Sequence, residues 1–187
     1  MLRAGMDMLS SGESGNCSFA WYEDPSSRSI ILEAVFVLEC LVPAKSGINR
    51  FLPPTPIFVR VDHRGRDLSK EAVYEEAELQ RGEPDRLLDK AAVSEQLLPK
   101  MMEIAEKSAN DFAQPILEEA VIKLKHYYES EISRLRSLQK KNKNHSVEEV
   151  ELMEQSYSFL KGALPTARLR QDALRLIWKG SENYLDG

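Results

Sequence analysis

The sequence predicts an α+β fold: a small antiparallel sheet in the N-terminal third, then long helices forming an antiparallel, coiled-coil-like helical hairpin. Three observations carry that prediction. Residues 1–69 hold five of the nine prolines and five of the nine glycines, with β-branched and aromatic side chains gathered in short runs between them; this is the composition of strands and turns. From Lys70 onward glycine becomes scarce, and Ala, Glu, Leu, Lys and Arg recur at three- and four-residue spacing, the period of a helix with one apolar face. Between two such stretches stands Lys140-Lys141-Asn142-Lys143-Asn144-His145, whose cations suit a helix C-terminus and whose asparagines suit a turn.

Ile30 to Val42 is the strongest strand, dense in Ile30, Ile31, Val35, Phe36, Val37 and Val42. Glu33 and Glu39 interrupt it, so one face or edge is expected to meet water. Pro53-Pro54-Thr55-Pro56 withholds three backbone donors and forces an extended entry into the next segment. That segment, Ile57-Phe58-Val59-Arg60-Val61-Asp62, alternates and reads as a half-buried strand. His63-Arg64-Gly65-Arg66-Asp67 follows, and Gly65, able to take positive φ, makes a tight turn there.

Residues 70–93 read as an acidic helical connector, in which Glu71, Glu75, Glu76 and Glu78 form the densest acidic cluster and suggest a solvated face. Ser94 with Glu95 and Gln96 then starts a long helix that runs to about Gln139, with Pro99 tolerable in its opening turns. Its stripe passes from Met101 through Phe112, Leu124 and Tyr128 to Leu138. Pro115 lies inside it, removes the hydrogen bond to the carbonyl of residue 111 and clashes with that carbonyl, so a kink or break is expected. The second helix begins at Ser146-Val147-Glu148-Glu149, a capping box. Val150, Met153, Tyr157, Leu160, Leu164, Ala167, Gln171, Leu174 and Trp178 continue it in alternating three- and four-residue steps, a coiled-coil seam. Pro165 would divide it near Ala163-Leu164. The expected organisation is one structural domain in three segments: a strand-rich sheet region at 1–69, the connector at 70–93, and a long helical hairpin at 94–187 with its hinge near 140–146.

The chain of 187 residues carries a net charge of −5, which excludes nucleic-acid binding by overall charge and leaves only local patches. Cys17 and Cys40, the two cysteines, form no CxxC pair and have no histidine beside them, so neither a disulfide framework nor a zinc site is expected and a reduced, cytoplasmic setting fits. The apolar run at 30–42 is too short to span a bilayer, and the opening Met1 to Met6 lacks the apolar core of a signal peptide. No Gly-x-x-x-x-Gly-Lys-Ser/Thr string occurs, and Lys45-Ser46-Gly47 lacks the glycine-rich lead that cradles phosphates. His63, His126 and His145 form no His-Glu-x-x-His pair; His126 and Glu129 read as a surface pair on a helix. Cys17 has no base at a defensible spacing and reads as a small apolar residue. Glu33 and Glu39 would stand about 20 Å apart on a strand rising ~3.3 Å per residue, too far for a glycosidase pair. No catalytic residue, cofactor or metal site is expected.

Positive balance is confined to residues 131–187, with 10 basic and 8 acidic side chains. Arg134, Arg136, Lys140, Lys141 and Lys143 gather at the hinge, while Arg168, Arg170 and Arg175, with Lys179, lie toward the far end of the second helix. The eight other than Lys179 are the candidate interaction residues. Specific nucleic-acid binding also needs stacking aromatics or a groove-entering helix, and neither is evident.

Four strings stand in order along the chain: Leu32-Glu33-Ala34-Val35-Phe36-Val37-Leu38-Glu39, Arg50-Phe51-Leu52-Pro53-Pro54-Thr55-Pro56, Glu106-Lys107-Ser108-Ala109, and Leu169-Arg170-Gln171-Asp172-Ala173-Leu174-Arg175-Leu176-Ile177. Together they resemble the C-terminal region of the RapA (HepA) family of bacterial RNA polymerase-associated proteins, from Gly5-Met6-Asp7 to Trp178. The resemblance implies a Swi/Snf-type, helicase-like ATPase that recycles RNA polymerase after transcription, with ATP consumed by a motor in the N-terminal half of the full protein. Nothing here matches that motor's phosphate-binding or Asp-Glu motifs. The implied role is therefore an accessory interaction domain, without catalysis or cofactor of its own, docking on the ATPase motor, on RNA polymerase, or on both. The implied setting is the bacterial cytoplasm near the nucleoid, with no membrane partner, and the length suits a part of such a protein. Gln171, Pro115 and Pro165 depart from the family's pattern. A free-standing coiled-coil adaptor that self-associates through the 150–178 seam is the alternative, together with weak nucleic-acid contact by the hinge cations.

Overall fold

The computed structural model describes residues 17–81, 88, 90–141 and 147–181. In chain order the long elements are β1 (Cys17–Glu23), β2 (Ser29–Glu39), β3 (Thr55–Asp62), β4 (Gln80–Arg81), α1 (Leu98–Lys141), α2 (Val147–Ala163) and β5 (Arg168–Gly180). The strands form one sheet in the order β3-β2-β5-β1-β4. The class is α+β, as predicted. The sheet is mixed where an antiparallel one was expected: β1 runs parallel to β5, from Cys17 opposite Leu174 to Glu23 opposite Gly180, and antiparallel to β4.

The heptad seam does not continue as a helix. α2 ends at Ala163, and Pro165 sits in a turn, Leu164–Thr166, that terminates the helix instead of dividing it. Arg168–Gly180 is then the central strand of the sheet. Leu, Arg, Gln and Ala favour helix by intrinsic propensity, and pairing with a strand some 150 positions away overrides that preference. A central strand is covered on both faces and loses the two-residue alternation that would reveal it; Leu174, Leu176 and Ile177 are all buried. The helical seam invoked for self-association therefore ends with Leu160, its last position within α2.

Two compact units divide the chain: Met1–Val37, Pro56–Asp111 and Arg170–Gly187 in the first, Leu38–Thr55 and Phe112–Leu169 in the second. In the first unit β2 buries Ile30, Leu32, Ala34 and Phe36 on one face, while Glu33, Val35 and Val37 alternate on the other and are half-buried. β3 alternates as expected, burying Ile57, Val59 and Val61 and exposing Phe58. The turn after it forms too. Gly65 takes φ 80° and donates its amide to the Asp62 carbonyl, while the Asp62 carboxylate accepts from the Arg64 and Arg66 amides. The first turns of α1 bury Leu98, Met101, Met102, Ala105 and Ala109. Ile104 comes so close to Gly65 that a Cβ there would meet its Cδ1 at 2.8 Å.

The start of the connector is not helical. Residues 71–79 run across the sheet as an irregular strap with a single 3-10 turn, Glu76–Glu78, and end in β4. Val73, Tyr74 and Leu79 pack onto Ala20, Ile31 and Ile177. A helix would stack Glu71, Glu75 and Glu78 at three- and four-residue steps, a like-charge arrangement that opposes helix formation. Residues 82–87 and 89 lie outside the described residues.

In the second unit α1 and α2 form the predicted hairpin. Tyr128 stacks on Tyr157 at 5.3 Å and Arg136 bonds Glu154 at 2.5 Å, so rising numbers on one helix meet falling numbers on the other. Phe51 joins the aromatic cluster through Tyr127 and Tyr128, and Arg50 lies over the Tyr127 ring at 3.9 Å. Cys40 donates its thiol to the Ala163 carbonyl at 3.2 Å, anchoring the end of α2. The 44 residues of α1 continue through Pro115 without a break, and the division between units falls at Asp111, whose carbonyl Pro115 leaves without its helical donor. The hinge residues 142–146, including the Ser146 cap, lie outside the described residues.

Candidate interaction site

Charged residues stand among apolar ones within three strands: Glu33 in β2, Arg60 in β3 and Arg175 in β5. Folding brings them together in the first unit. Glu33 Oε2 accepts from Arg175 Nε at 2.6 Å, and Glu33 Oε1 accepts from Arg60 Nε at 2.8 Å and from the Tyr74 hydroxyl. Arg175 also grips Glu76 with both terminal nitrogens, at 2.5 and 2.9 Å. Arg60 lies over the Tyr74 ring at 4.8 Å and donates from Nη1 to the Glu71 carbonyl at 2.9 Å. The Arg175 bond holds the Glu76 carboxyl below its ordinary value, burial opposing. Glu76 first, and Glu33 after burial's opposing effect, hold the Arg175 guanidinium above its own ordinary value.

Glu33 and Glu39 are thus not the water-facing interruptions expected of them. Their side chains are 16% and 17% exposed, and Glu39 pairs with Arg168 at 3.8 Å within the second unit. The arginines consume them: a carboxylate in a half-buried strand position needs such partners to offset desolvation.

The other predicted cations are distributed as follows. Arg134 pairs with Glu131 at 2.8 Å and Arg136 with Glu154, both largely exposed. Arg136 and Lys140 border a groove of about 430 Å³ with Glu129, Ile132, Ser133 and Glu154. Lys143 and the Lys141 side chain lie outside the described residues. Arg170 pairs with Asp172 at 2.6 Å. Of the eight, among the described residues, Arg175 is the one brought into the strand cluster, and Glu33, Arg60, Tyr74 and Glu76 complete it. Sequence reasoning missed the last three. A usable signal existed in the opposite charges set between apolar neighbours, Glu33 between Leu32 and Ala34, Arg60 between Val59 and Val61, and Arg175 between Leu174 and Leu176.

Among the described residues, no group of three or more His, Cys, Asp or Glu is placed to hold a metal ion, and no helix is long and apolar enough to cross a membrane. What the geometry offers is recognition chemistry, in paired guanidiniums, carboxylates and half-buried aromatics on a mixed sheet and a helical hairpin. The family model described as "RNA polymerase recycling family C-terminal" (RapA_C) matches residues 1–179, and the chain belongs to that family. RNA polymerase-associated protein RapA of Vibrio cholerae serotype O1 (strain M66-2) is 32% identical over 181 residues, which cover 95% of this chain and 19% of that protein. RapA of Haemophilus influenzae (strain PittEE) is 26% identical over 186 residues, covering 97% and 20%. RapA of Serratia proteamaculans (strain 568) is 28% identical over 181 residues, covering 95% and 19%. The chain spans about a fifth of the length of these relatives.

Proposed function

We propose that this chain is an accessory interaction domain of a RapA-type, ATP-dependent RNA polymerase recycling factor, acting in the bacterial cytoplasm. In this reading it docks on the ATPase motor, on RNA polymerase, or on both, and performs no catalysis itself. The observation that carries it is the family match over residues 1–179, combined with relatives named as RNA polymerase-associated proteins. The recognition chemistry described above is of the kind that docking uses, since arginine and aromatic side chains dominate interface energetics.

The test is retention of purified core RNA polymerase on the immobilised 187-residue chain, alongside an ATP-turnover assay. Retention with no ATP hydrolysis is expected. ATP hydrolysis by the chain alone, or failure to retain either polymerase or a separately purified RapA motor fragment, would overturn the proposal.

A further inference from the structure

One face of the sheet in the first unit is only half covered. The strap at 71–79 lays Val73, Tyr74 and Leu79 over Ala20, Ile31 and Ile177. Beside it the same face opens into a cavity of about 480 Å³, floored by Val35, Phe58 and Ala173 and bordered by Glu33, Arg60 and Arg175. Phe58 is 69% exposed there.

The charges are unequal between sheet and strap. On the strands, two guanidiniums, Arg60 and Arg175, share the single carboxylate of Glu33. The strap supplies the missing carboxylate as Glu76. Beside the apolar packing of Val73, Tyr74 and Leu79, its remaining ties are polar: Arg60 to the Glu71 carbonyl, Lys179 Nζ to the Val73 carbonyl at 3.3 Å, Tyr74 to Glu33, and the Tyr22 hydroxyl to the Glu78 carboxylate. Regular pairing is limited to the two residues of β4. Ion pairs at such exposed positions are weak and screened by salt. A segment held by few apolar contacts and many exposed polar bonds opens well below the free energy of the sheet beneath it.

We propose that 71–79 is a displaceable strap and that the face beneath it is a protein-binding surface. The occupant it fits is an extended partner segment bearing carboxylates with an aromatic side chain, the chemistry the strap itself presents in Val73-Tyr74-Glu75-Glu76. With the strap lifted, Ile31 and Ile177 lie open on one side of the Glu33, Arg60 and Arg175 cluster, with Val35 and Phe58 on its other side. Arg175 then needs a second carboxylate. Strap and partner compete for one surface, so the domain carries its own inhibitor. The proposal rests on contacts within the first unit and not on which assembly the domain serves.

Two measurements on the intact chain test it. Amide hydrogen exchange of 71–81 should accelerate by roughly tenfold as salt rises from about 0.05 to about 1 M, while amides of β2 and β5 hold their rates. A fluorescent peptide with the sequence of residues 70–80 should bind a Tyr74→Ala/Glu76→Gln variant roughly fivefold or more tightly than the unaltered chain, because its competitor is weakened. The same peptide carrying Glu76→Gln should bind that variant more weakly. Strap amides that exchange in step with β2 and β5 at every salt concentration would overturn the proposal. So would a peptide that gains nothing from the weakened strap, or one indifferent to its own carboxylate. Should the variant lose protection in β2 and β5, the salt series on the unaltered chain decides. The probe contains no polymerase, so its failure and a failure of polymerase capture are separate results.

Discussion

Glu33 sits where a strand residue would ordinarily be apolar, and three side chains from β3, β5 and the strap converge on it. Glu33→Gln keeps the shape but leaves two partly buried guanidiniums, 25% and 28% exposed, facing a neutral amide. A loss of about 1–3 kcal/mol in unfolding free energy is expected, smaller than for a fully buried pair because water reaches the site. Urea denaturation measures it, and an unchanged midpoint would mean the cluster contributes no net stability. Gly65 is a second sensitive position. Its positive φ disfavours any side chain, and Ile104 Cδ1 lies 2.8 Å from where a Cβ would stand. Gly65→Ala should cost about 1–3 kcal/mol, read as a lowered thermal midpoint. The turn glycine was legible because φ preference is local. The partners of Glu33 were not, since Arg175 lies 142 positions away and only the fold makes them neighbours.

Among the elements, β2, β3 and α1 were legible because each carries its own period: alternation in β3, a three-and-four stripe along α1 with Met101, Leu124 and Tyr128 buried. β5 was not, because Gln171, Leu174 and Trp178 fit a heptad as well as a doubly covered strand. The distant β1 and β2, which flank it, decide between the two. Pro165 was the local clue that α2 should end. Pro115, by contrast, is accommodated inside α1, on an exposed position. A proline in a helix interior is about 3 kcal/mol less favourable than alanine, partly offset by its smaller unfolded-state entropy. Pro115→Ala is accordingly expected to stabilise the chain by about 2 kcal/mol, since no buried contact is lost. A rise in the chemical-denaturation midpoint with the slope unchanged is the signature. A fall would mean that the backbone set by Pro115 at the boundary between units holds packing that alanine does not.

At the scale of the whole molecule, the total charge of −5 conceals carboxylates that folding holds in their ionised form. Burial works against the Asp62 carboxylate, but the Arg66 amide and guanidinium and the Arg64 amide outweigh it and keep its pKa below 3.8. At Asp67, burial is likewise outweighed by the hydroxyl and amide of Ser69 and the hydroxyl of Ser108, and Glu76 is held below 4.5 by Arg175. Because these folded-state values lie below the unfolded ones, their stabilisation is complete above the unfolded values and is lost as pH falls through the folded ones. Tyr128 supplies the opposite limb. Burial, reinforced by Tyr127 and opposed by Arg50, raises its pKa above 10.0, so its contribution is present below pH 10.0 and disappears as pH climbs toward the folded value. The thermal midpoint should therefore be nearly flat from about pH 5 to about pH 9 and fall on both sides, more steeply in acid where three carboxylates act together. Asp62→Asn tests the acid limb, because it removes the most buried of the three, 1% exposed. The variant should start from a lower plateau and lose less between about pH 5 and about pH 3 than the unaltered chain. A midpoint that rises as the unaltered chain is acidified through that range would show that unfolding, not folding, favours these carboxylates in their charged form.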